Sequence, residues 1–286
     1  MKLRAVLIML FPVLVLYVYS FIVPMVMVGQ LALSNSDYVK SEFVGLRNFV
    51  EAFKDKYFTK SFANSFWFVL LIAPIKITLC YRIASFLTTF SKRVQSMGRF
   101  MLYIPSLTSG LIMALIWKWF LHRKGLINLF LALTGIDPIP WLAQPWTARI
   151  AISIIIIISG VGFYVIVFSA QMLSVPKELY DAAIIDGASE RQYKQRILFP
   201  MMISTILLML LLQIVGIMQI WELCYVLTGE GGPKGSTASP AYDVFQTAFR
   251  FGRQGYAAAK GIILMLAIAA VLLMKRKVEK WLDLEN

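Results

Sequence analysis

The sequence is short of the residues with which many enzymes and metal proteins work. Its 286 residues include one histidine, His122, and two cysteines, Cys80 and Cys224. Zinc sites, Ser-His-Asp triads and two-histidine motifs are therefore almost excluded. Two thiols that lie far apart in apolar runs predict neither a disulfide framework nor a metal site. We expect no catalytic residue and no metal ligand in this chain.

Charged residues are also scarce. They make up 15% of the chain, whereas a soluble domain has about 25%. Hydrophobic residues make up 59%, and the mean hydropathy is +0.73. The net charge of +13 comes from lysines and arginines between the apolar runs and at the chain ends, which is where membrane proteins keep them. A nucleic-acid-binding stripe of basic and aromatic residues is not found, so the composition predicts a membrane protein.

Six apolar runs are long enough to cross a bilayer, which takes about 20 helical residues. They cover residues 5–33, 62–90, 99–121, 148–173, 201–228 and 257–274. The first run exceeds the about 7–15 residues of a signal-peptide core, so we interpret it as an uncleaved span. Pro74, Lys76 and Arg82 predict that the second span is kinked or packed inside the bundle. The small residues from Ser159 to Gly162 predict close helix packing or a local break in the fourth.

The orientation follows from an even number of spans, which puts both termini on one side. That same side carries most of the basic segments, namely Lys2 and Arg4, residues 92–99, the charged segment 174–200 and the tail 275–280. The positive-inside rule makes it cytoplasmic. Residues 34–61 then form an outer segment. The sequence predicts an all-α membrane protein with six transmembrane helices in a single domain, residues 1–286.

The cytoplasmic segment 174–200 has the pattern of a helix, a turn and a second helix. Pro176 and Glu178 suit a helix's first turn, and Gly187 ends that helix. Ser189 with Gln192 forms a predicted capping box for the next helix. A short helix of this kind suits a groove on another protein or the lipid surface, and the pattern alone leaves both open.

The same segment resembles the "EAA" loop of permease subunits in binding-protein-dependent ABC importers. That pattern is Glu-Ala-Ala, three residues, Gly, nine residues, and Ile-x-Leu-Pro. Here it is matched by Asp181-Ala182-Ala183, Gly187 and Ile197-Leu198-Phe199-Pro200 at the same spacing. Asp181 replaces the usual glutamate and Phe199 the usual leucine, and both changes are conservative.

The resemblance implies an ABC importer permease fold in which this loop is a coupling helix that sits in a cleft of an ATPase subunit. The implied coupling residues are Glu178, Asp181, Ala182, Ala183, Asp186, Gly187, Ala188, Ile197 and Pro200. The implied partners are a second, homologous and distinct permease subunit, two cytoplasmic ATPase subunits and an extracytoplasmic solute-binding protein. ATP and Mg would be held by the ATPases, so this chain is expected to be a non-catalytic subunit in the bacterial inner membrane.

Four further segments resemble the carbohydrate-uptake branch, the maltose- and glycerol-phosphate-type permeases. They occur in the expected order: Gly45 to Phe49, Ile116 to Leu142 with Gly125-Leu126-Ile127-Asn128, Leu227 to Thr237, and Gly255 to Ala259. The third departs from the branch's Thr-Gly-Gly-Gly-Pro pattern by an extra residue or a substituted glycine. The resemblance implies a permease for a sugar or oligosaccharide that works by alternating access.

Candidate residues for the substrate path lie on the two spans that flank the coupling loop. Glu222 is the only acid inside an apolar run, and an intramembrane acid is a functional candidate. On a continuous helix Gln219 would share its face. Polar and aromatic groups suited to a sugar are Tyr164, Gln219, Trp221, Glu222 and Tyr225. Helix packing remains the alternative for each of them.

Two other functions stay open. One is an ABC permease for a peptide, phosphate or amino acid, and the other is an ion-coupled carrier that acts alone. A carrier needs intramembrane acids or histidines and inverted repeats, and we find no repeat. The segment Gly232 to Thr237 has the order Lys-Gly-Ser rather than Gly-Lys-Ser/Thr, so it does not predict a phosphate loop.

Overall fold

Helices account for most of the part of the chain that the computed structural model describes, residues 2–36 and 41–282. The α-helices are α1 (Lys2–Tyr17), α2 (Val23–Ala32), α3 (Arg47–Lys54), α4 (Lys56–Leu87), α5 (Lys92–Tyr103), α6 (Gly110–Phe120), α7 (Leu126–Leu133), α8 (Pro145–Ser159), α9 (Val161–Ser174), α10 (Lys177–Ile185), α11 (Glu190–Tyr193), α12 (Phe199–Met201), α13 (Ile203–Met218), α14 (Pro240–Phe245) and α15 (Gln254–Trp281). π-Helical turns are Val18–Ile22, Lys194–Leu198, Leu223–Leu227 and Gln246–Arg250, and 3₁₀ turns are Ile104–Leu107 and Pro233–Gly235.

Six membrane spans can be built from these helices. Three stretches are long and apolar enough by themselves, namely Leu10–Ala32, Lys56–Leu87 and Gln254–Trp281. Three bent pairs supply the others: Lys92–Leu107 with Gly110–Phe120, Pro145–Ser159 with Val161–Ser174, and Glu190–Met201 with Ile203–Met218. The all-α fold and the six predicted runs are confirmed within the described residues, which do not include the side chains of Lys2 and Arg4.

The shapes of the spans differ from a set of straight helices. The third span bends by 91° at Thr108 and Ser109, just after the 3₁₀ turn that contains Pro105. Ser109 caps α6 there by accepting from the N–H of Ile112. The fourth bends by 44° at Gly160, which is one of the two alternatives that its small residues predicted, and the fifth bends by 62° near Met202. Pro74 lies inside α4 without ending it, so it does not interrupt the second span.

The chain contacts define two units, and the first contains residues 1–59 and 243–267. Its apolar centre is formed by Ala32, Ala258 and Ala259. The strands β1 (Ser34–Ser36) and β2 (Ser41–Phe43) pair antiparallel, with Ser34 opposite Phe43. Asn48 Nδ2 donates to the carbonyl oxygens of Ala32 and Ser34, both at 2.9 Å, and so fixes the end of α2 to this hairpin.

A buried cation holds the same unit together. Lys260 Nζ lies 2.6 Å from Asp243 Oδ2 and 2.8 Å from Asp55 Oδ2, and the Tyr256 hydroxyl donates to Asp55 Oδ2 at 3.0 Å. Burial raises the pKa of Asp55, but the hydrogen bond and charge of Lys260, together with the backbone N–H groups of Phe58 and Tyr57, lower it below its usual range. Removal of one member would leave an uncompensated buried charge.

The second unit contains residues 60–242 and 268–286, described to residue 282. It has two apolar clusters, one around Phe168 and Met202 and the other around Ile72, Ile152 and Ile217. Gly162 in α9 lies directly against the backbone of Leu102 in α5. A side chain at this position would collide with the Leu102 carbonyl group.

The glycine-rich loop that precedes α14 is anchored to two spans of the second unit. Asn64 Nδ2 donates to the carbonyl oxygens of Gly235 (2.9 Å) and Ala238 (3.0 Å). Arg149 donates from Nε to the Ser236 carbonyl and from Nη2 to Asn64 Oδ1, both at 2.9 Å. The carbonyl groups of the loop therefore bind these side chains, and the loop has a structural role in the second unit.

The contact at Gly162 predicts an effect on stability. We expect Gly162→Ala to lower the free energy of unfolding by about 1–3 kcal/mol, because the added Cβ overpacks α9 against α5. The measurement is the thermal unfolding midpoint of the purified chain in detergent. Gly29→Ala is the matched control, since a Cβ at that helical position meets no heavy atom within 4 Å. Equal midpoints for the two variants would contradict the close approach.

Candidate coupling loop and intramembrane cavity

The first helix of the loop 174–200 ends in a Schellman motif at Gly187. Gly187 has φ +79°, the left-handed conformation that glycine adopts without strain. Its N–H donates to Ile184 O at 3.0 Å, and the Ala188 N–H donates to Ala183 O at 2.9 Å. Helix α10 begins after Pro176 and carries Glu178 in its first turn. The predicted helix and its glycine stop are confirmed.

The second helix of the loop begins with the predicted capping box. Ser189 Oγ accepts from the N–H of Gln192, and Gln192 Oε1 accepts from the N–H of Ser189 at 2.7 Å. The helical path continues from α11 through a π turn into α12, which contains Pro200. Tyr180 and Tyr193 contact edge to face, with ring centroids 5.0 Å apart, and so connect the two arms of the loop.

The loop presents most of the predicted coupling residues to its surroundings. The exposed ones are Glu178, Asp181, Ala182, Asp186, Gly187 and Pro200, and the partly exposed ones are Ala188 and Ile197. Ala183 differs from the prediction because its side chain is buried. It supports the turn from inside, so only Ala182 of the alanine pair lies on the outer surface.

An apolar tip on this loop escaped the sequence analysis. Ile185, the last residue of α10, is 85% exposed, and Ile184 beside it is 44% exposed. The acids Asp181 and Asp186 are exposed next to them. The signal in the sequence was an Ile-Ile pair in a charged, water-facing segment. An apolar knob with an acidic rim is suited to a groove on a protein partner.

A cavity of about 310 Å³ lies within the second unit, where the third and fourth spans are broken. Its polar lining comes from Lys76, Ser106, Thr108, Ser159, Tyr164 and Gln213. Tyr164 on α9 and Gln213 on α13 are joined by a 3.0 Å hydrogen bond from the Tyr164 hydroxyl to Gln213 Oε1. Helices on both sides of the loop 174–200 therefore meet at this cavity.

Only one of the predicted substrate-path residues lies at this cavity. Tyr164 lines it, whereas Gln219, Trp221, Glu222 and Tyr225 are not among the described residues around it. The predicted shared face of Gln219 and Glu222 is wrong, because α13 ends at Met218 and residues 219–221 are not helical. The Glu222 carboxylate instead lies against Gly110, at the first turn of α6. The positive end of that helix dipole favours a carboxylate there.

Among the polar cavity residues that the path prediction missed, Lys76 and Gln213 have the longest side chains. Both lie in the middle of apolar runs, and Lys76 had been interpreted only as an interruption of its span. Their polar side chains at membrane depth were the available signal. No local pattern indicated that Lys76 and Gln213 meet at one cavity, because the cavity is formed by breaks in the third and fourth spans.

Broken spans around a polar cavity, together with a structured loop between two of them, define a helical membrane transport component. The chain belongs to the family of binding-protein-dependent transport system inner membrane components, whose model matches residues 81–284.

Named relatives agree with this membership. The chain is 28% identical over 234 residues to the lactose transport system permease LacF of Rhizobium radiobacter, covering 80% of this chain and 78% of the relative. It is 28% identical over 242 residues to the trehalose/maltose permease MalF of Thermococcus litoralis, covering 84% and 80%. A crystal structure of a bacterial ABC transporter that imports the acidic polysaccharide alginate contains a chain that superposes with a TM-score of 0.83 at 22% identity, over 96% of each chain. This last likeness shows the fold.

The Schellman turn predicts a backbone-specific effect at position 187. We expect Gly187→Val to reduce transport by about tenfold or more, because a β-branched residue resists positive φ. Gly187→Asn should retain most of the activity, since asparagine tolerates that conformation. A Cβ at Gly187 meets no heavy atom of this chain within 4 Å, so both variants have room for the added Cβ and the comparison reports on backbone strain. The measurement is substrate uptake at equal membrane expression. Equal activity of the Val and Asn variants would contradict the role of the turn.

Proposed function

We propose that this chain is one of the permease subunits of an ATP-driven importer and forms part of the path for a sugar or oligosaccharide. The observation that carries the proposal is the loop 174–200, with its Schellman turn at Gly187 and its exposed apolar tip, in a chain of this family. A rigid loop of this kind transmits force from a soluble motor to the spans on either side.

The sugar assignment rests on two observations. The relatives named above are permeases for lactose and for trehalose and maltose. The segments that resemble the carbohydrate-uptake branch occur in order along the chain, from Gly45 to Ala259. The cavity supports the assignment, because its hydroxyl, amide and phenol groups can replace the water that hydroxyl groups lose on entering the membrane.

The remaining parts of the importer are other chains. Two cytoplasmic ATPases bind ATP and Mg, and one of them docks on the 176–200 loop. A second permease subunit completes the path, and an extracytoplasmic binding protein delivers the sugar. This chain performs no covalent chemistry. A related transporter, the alginate importer, has been crystallised with an oligosaccharide-bound periplasmic protein.

The geometry supports alternating access. Closure of the ATPases would move α10, which is joined to α9 on one side and to α12 and α13 on the other. Bends at Gly160 and Met202 interrupt these spans, so each is built of segments that can tilt. Because Tyr164 and Gln213 lie on the two moving helices, motion of the loop reaches the cavity lining.

A complete-complex experiment tests the proposal. We expect the tagged chain, purified from its native membrane in mild detergent, to bring along an ATPase subunit and a second permease. In proteoliposomes, the binding protein loaded with sugar should stimulate ATP hydrolysis and uptake. Purification without an ATPase would favour an ion-coupled carrier. Stimulation by amino acids, peptides or phosphate but by no sugar would contradict the carbohydrate assignment and leave the importer class intact.

The proposed orientation puts both termini and the coupling loop in the cytoplasm. We expect Lys54→Cys to react with a membrane-impermeant maleimide added to intact cells, and Gln195→Cys to react only after permeabilisation. Both positions are exposed, and the native Cys80 and Cys224 are buried, so the background should be low. The opposite labelling pattern would invert the orientation.

A further inference from the structure

Lys76 is a buried cation in the middle of the second span. The residue is 4% exposed, lies within α4 and lines the 310 Å³ cavity. Its Nζ donates to the carbonyl oxygen of Ile156 at 3.0 Å and lies 4.6 Å from the centre of the Tyr164 ring. A charged group at the bilayer centre costs about 2.5–3.5 kcal/mol on insertion scales, so it is a functional candidate.

Part of the surroundings of Lys76 has a structural explanation. In a continuous helix the N–H of Gly160 would bond to the carbonyl of Ile156, but at the break it bonds to Ile158 instead. Lys76 takes the carbonyl that is left free. Gly160 also makes room for the ammonium group, because a Cβ there would lie 2.5 Å from Nζ. Lys76 thus caps the C-terminal end of α8, where the helix dipole favours a cation.

This cap accounts for only one of the three donors of an ammonium group. The Tyr164 ring attracts the cation through its face and neutralises no charge. Within residues 2–36 and 41–282, no carboxylate lies within ion-pair distance of Lys76. The carboxylate of Glu222 is placed against Gly110, where the dipole of α6 stabilises it. No carboxylate of the described residues therefore neutralises Lys76 at the cavity.

The rest of the lining fits a hydroxylated anion. Ser106 and Thr108 line the cavity, and Gln213 lies across it with Tyr164. The volume of 310 Å³ is within the range of small-molecule sites, about 300–1,000 Å³.

We propose that Lys76 forms a subsite for an anionic group on the transported sugar, a carboxylate, sulfonate or phosphate ester, while the neighbouring hydroxyl and amide groups bind its neutral hydroxyls. The inference rests on the proposed function as a sugar permease and narrows its substrate class to acidic sugars.

The test uses the complete complex with its binding protein in proteoliposomes. The probes are neutral disaccharides, lactose, maltose and cellobiose, each paired with the uronic acid that carries a carboxylate in place of one CH₂OH group. We expect the wild type to take up an acidic probe. Lys76→Gln, which keeps an N–H donor for the Ile156 carbonyl but removes the charge, should lower that uptake by about tenfold or more, the order expected for a hydrogen bond to a charged group. Lys76→Arg should retain it.

The readouts separate recognition from capping. Loss of acidic uptake with an unchanged thermal midpoint, and with any neutral uptake within about twofold of the wild type, supports the subsite. Equal loss of neutral and acidic uptake, or a collapse of the thermal midpoint in both variants, assigns Lys76 to helix capping alone and overturns it. If the wild type takes up neutral probes and no acidic probe, the anionic subsite is overturned, and the proposed function as a sugar permease stands. Uptake of no sugar contradicts both proposals.

Discussion

A helix that breaks inside a bilayer leaves backbone carbonyl groups that no bulk water can satisfy. The fourth span breaks at Gly160, and the Ile156 and Ser159 carbonyls at the end of α8 accept hydrogen bonds from Lys76 Nζ and Ser106 Oγ, both at 3.0 Å. These donors come from the second and third spans. The need to satisfy one broken helix therefore fixes three spans against each other and leaves a polar cavity between them.

That arrangement relates the coupling loop to the cavity. Helix α9 runs from the break at Gly160 to the beginning of the loop, and α13 leaves the loop beyond Met202. The Tyr164–Gln213 hydrogen bond joins the two helices at the cavity. Backbone hydrogen bonds close the turn of the loop, and the contact of Tyr180 with Tyr193 joins its two arms. Under the proposed function, a displacement of α10 would reach the cavity lining through α9 and α13.

Local features were predicted well and long-range ones poorly. The stop at Gly187 and the Ser189 capping box each depend on residues a few positions apart, so the sequence was sufficient. The shared face of Gln219 and Glu222 failed because it assumed that the helix continued beyond Met218. The burial of Ala183 and the exposure of Ile185 depend on how α10 packs, which the Asp-Ala-Ala pattern does not specify.

The sequence alone determined that the chain lies in a lipid bilayer, that it has six apolar runs and that a helical loop follows the fourth. Hydropathy, charge position and helix capping are all properties of neighbouring residues. The tertiary structure decided which polar groups meet. Lys76 reaches a carbonyl 80 positions away, and Lys260 reaches Asp55 and Asp243 from the last span. Such pairings depend on where helices bend and pack, and the bends are themselves stabilised by side chains from distant spans.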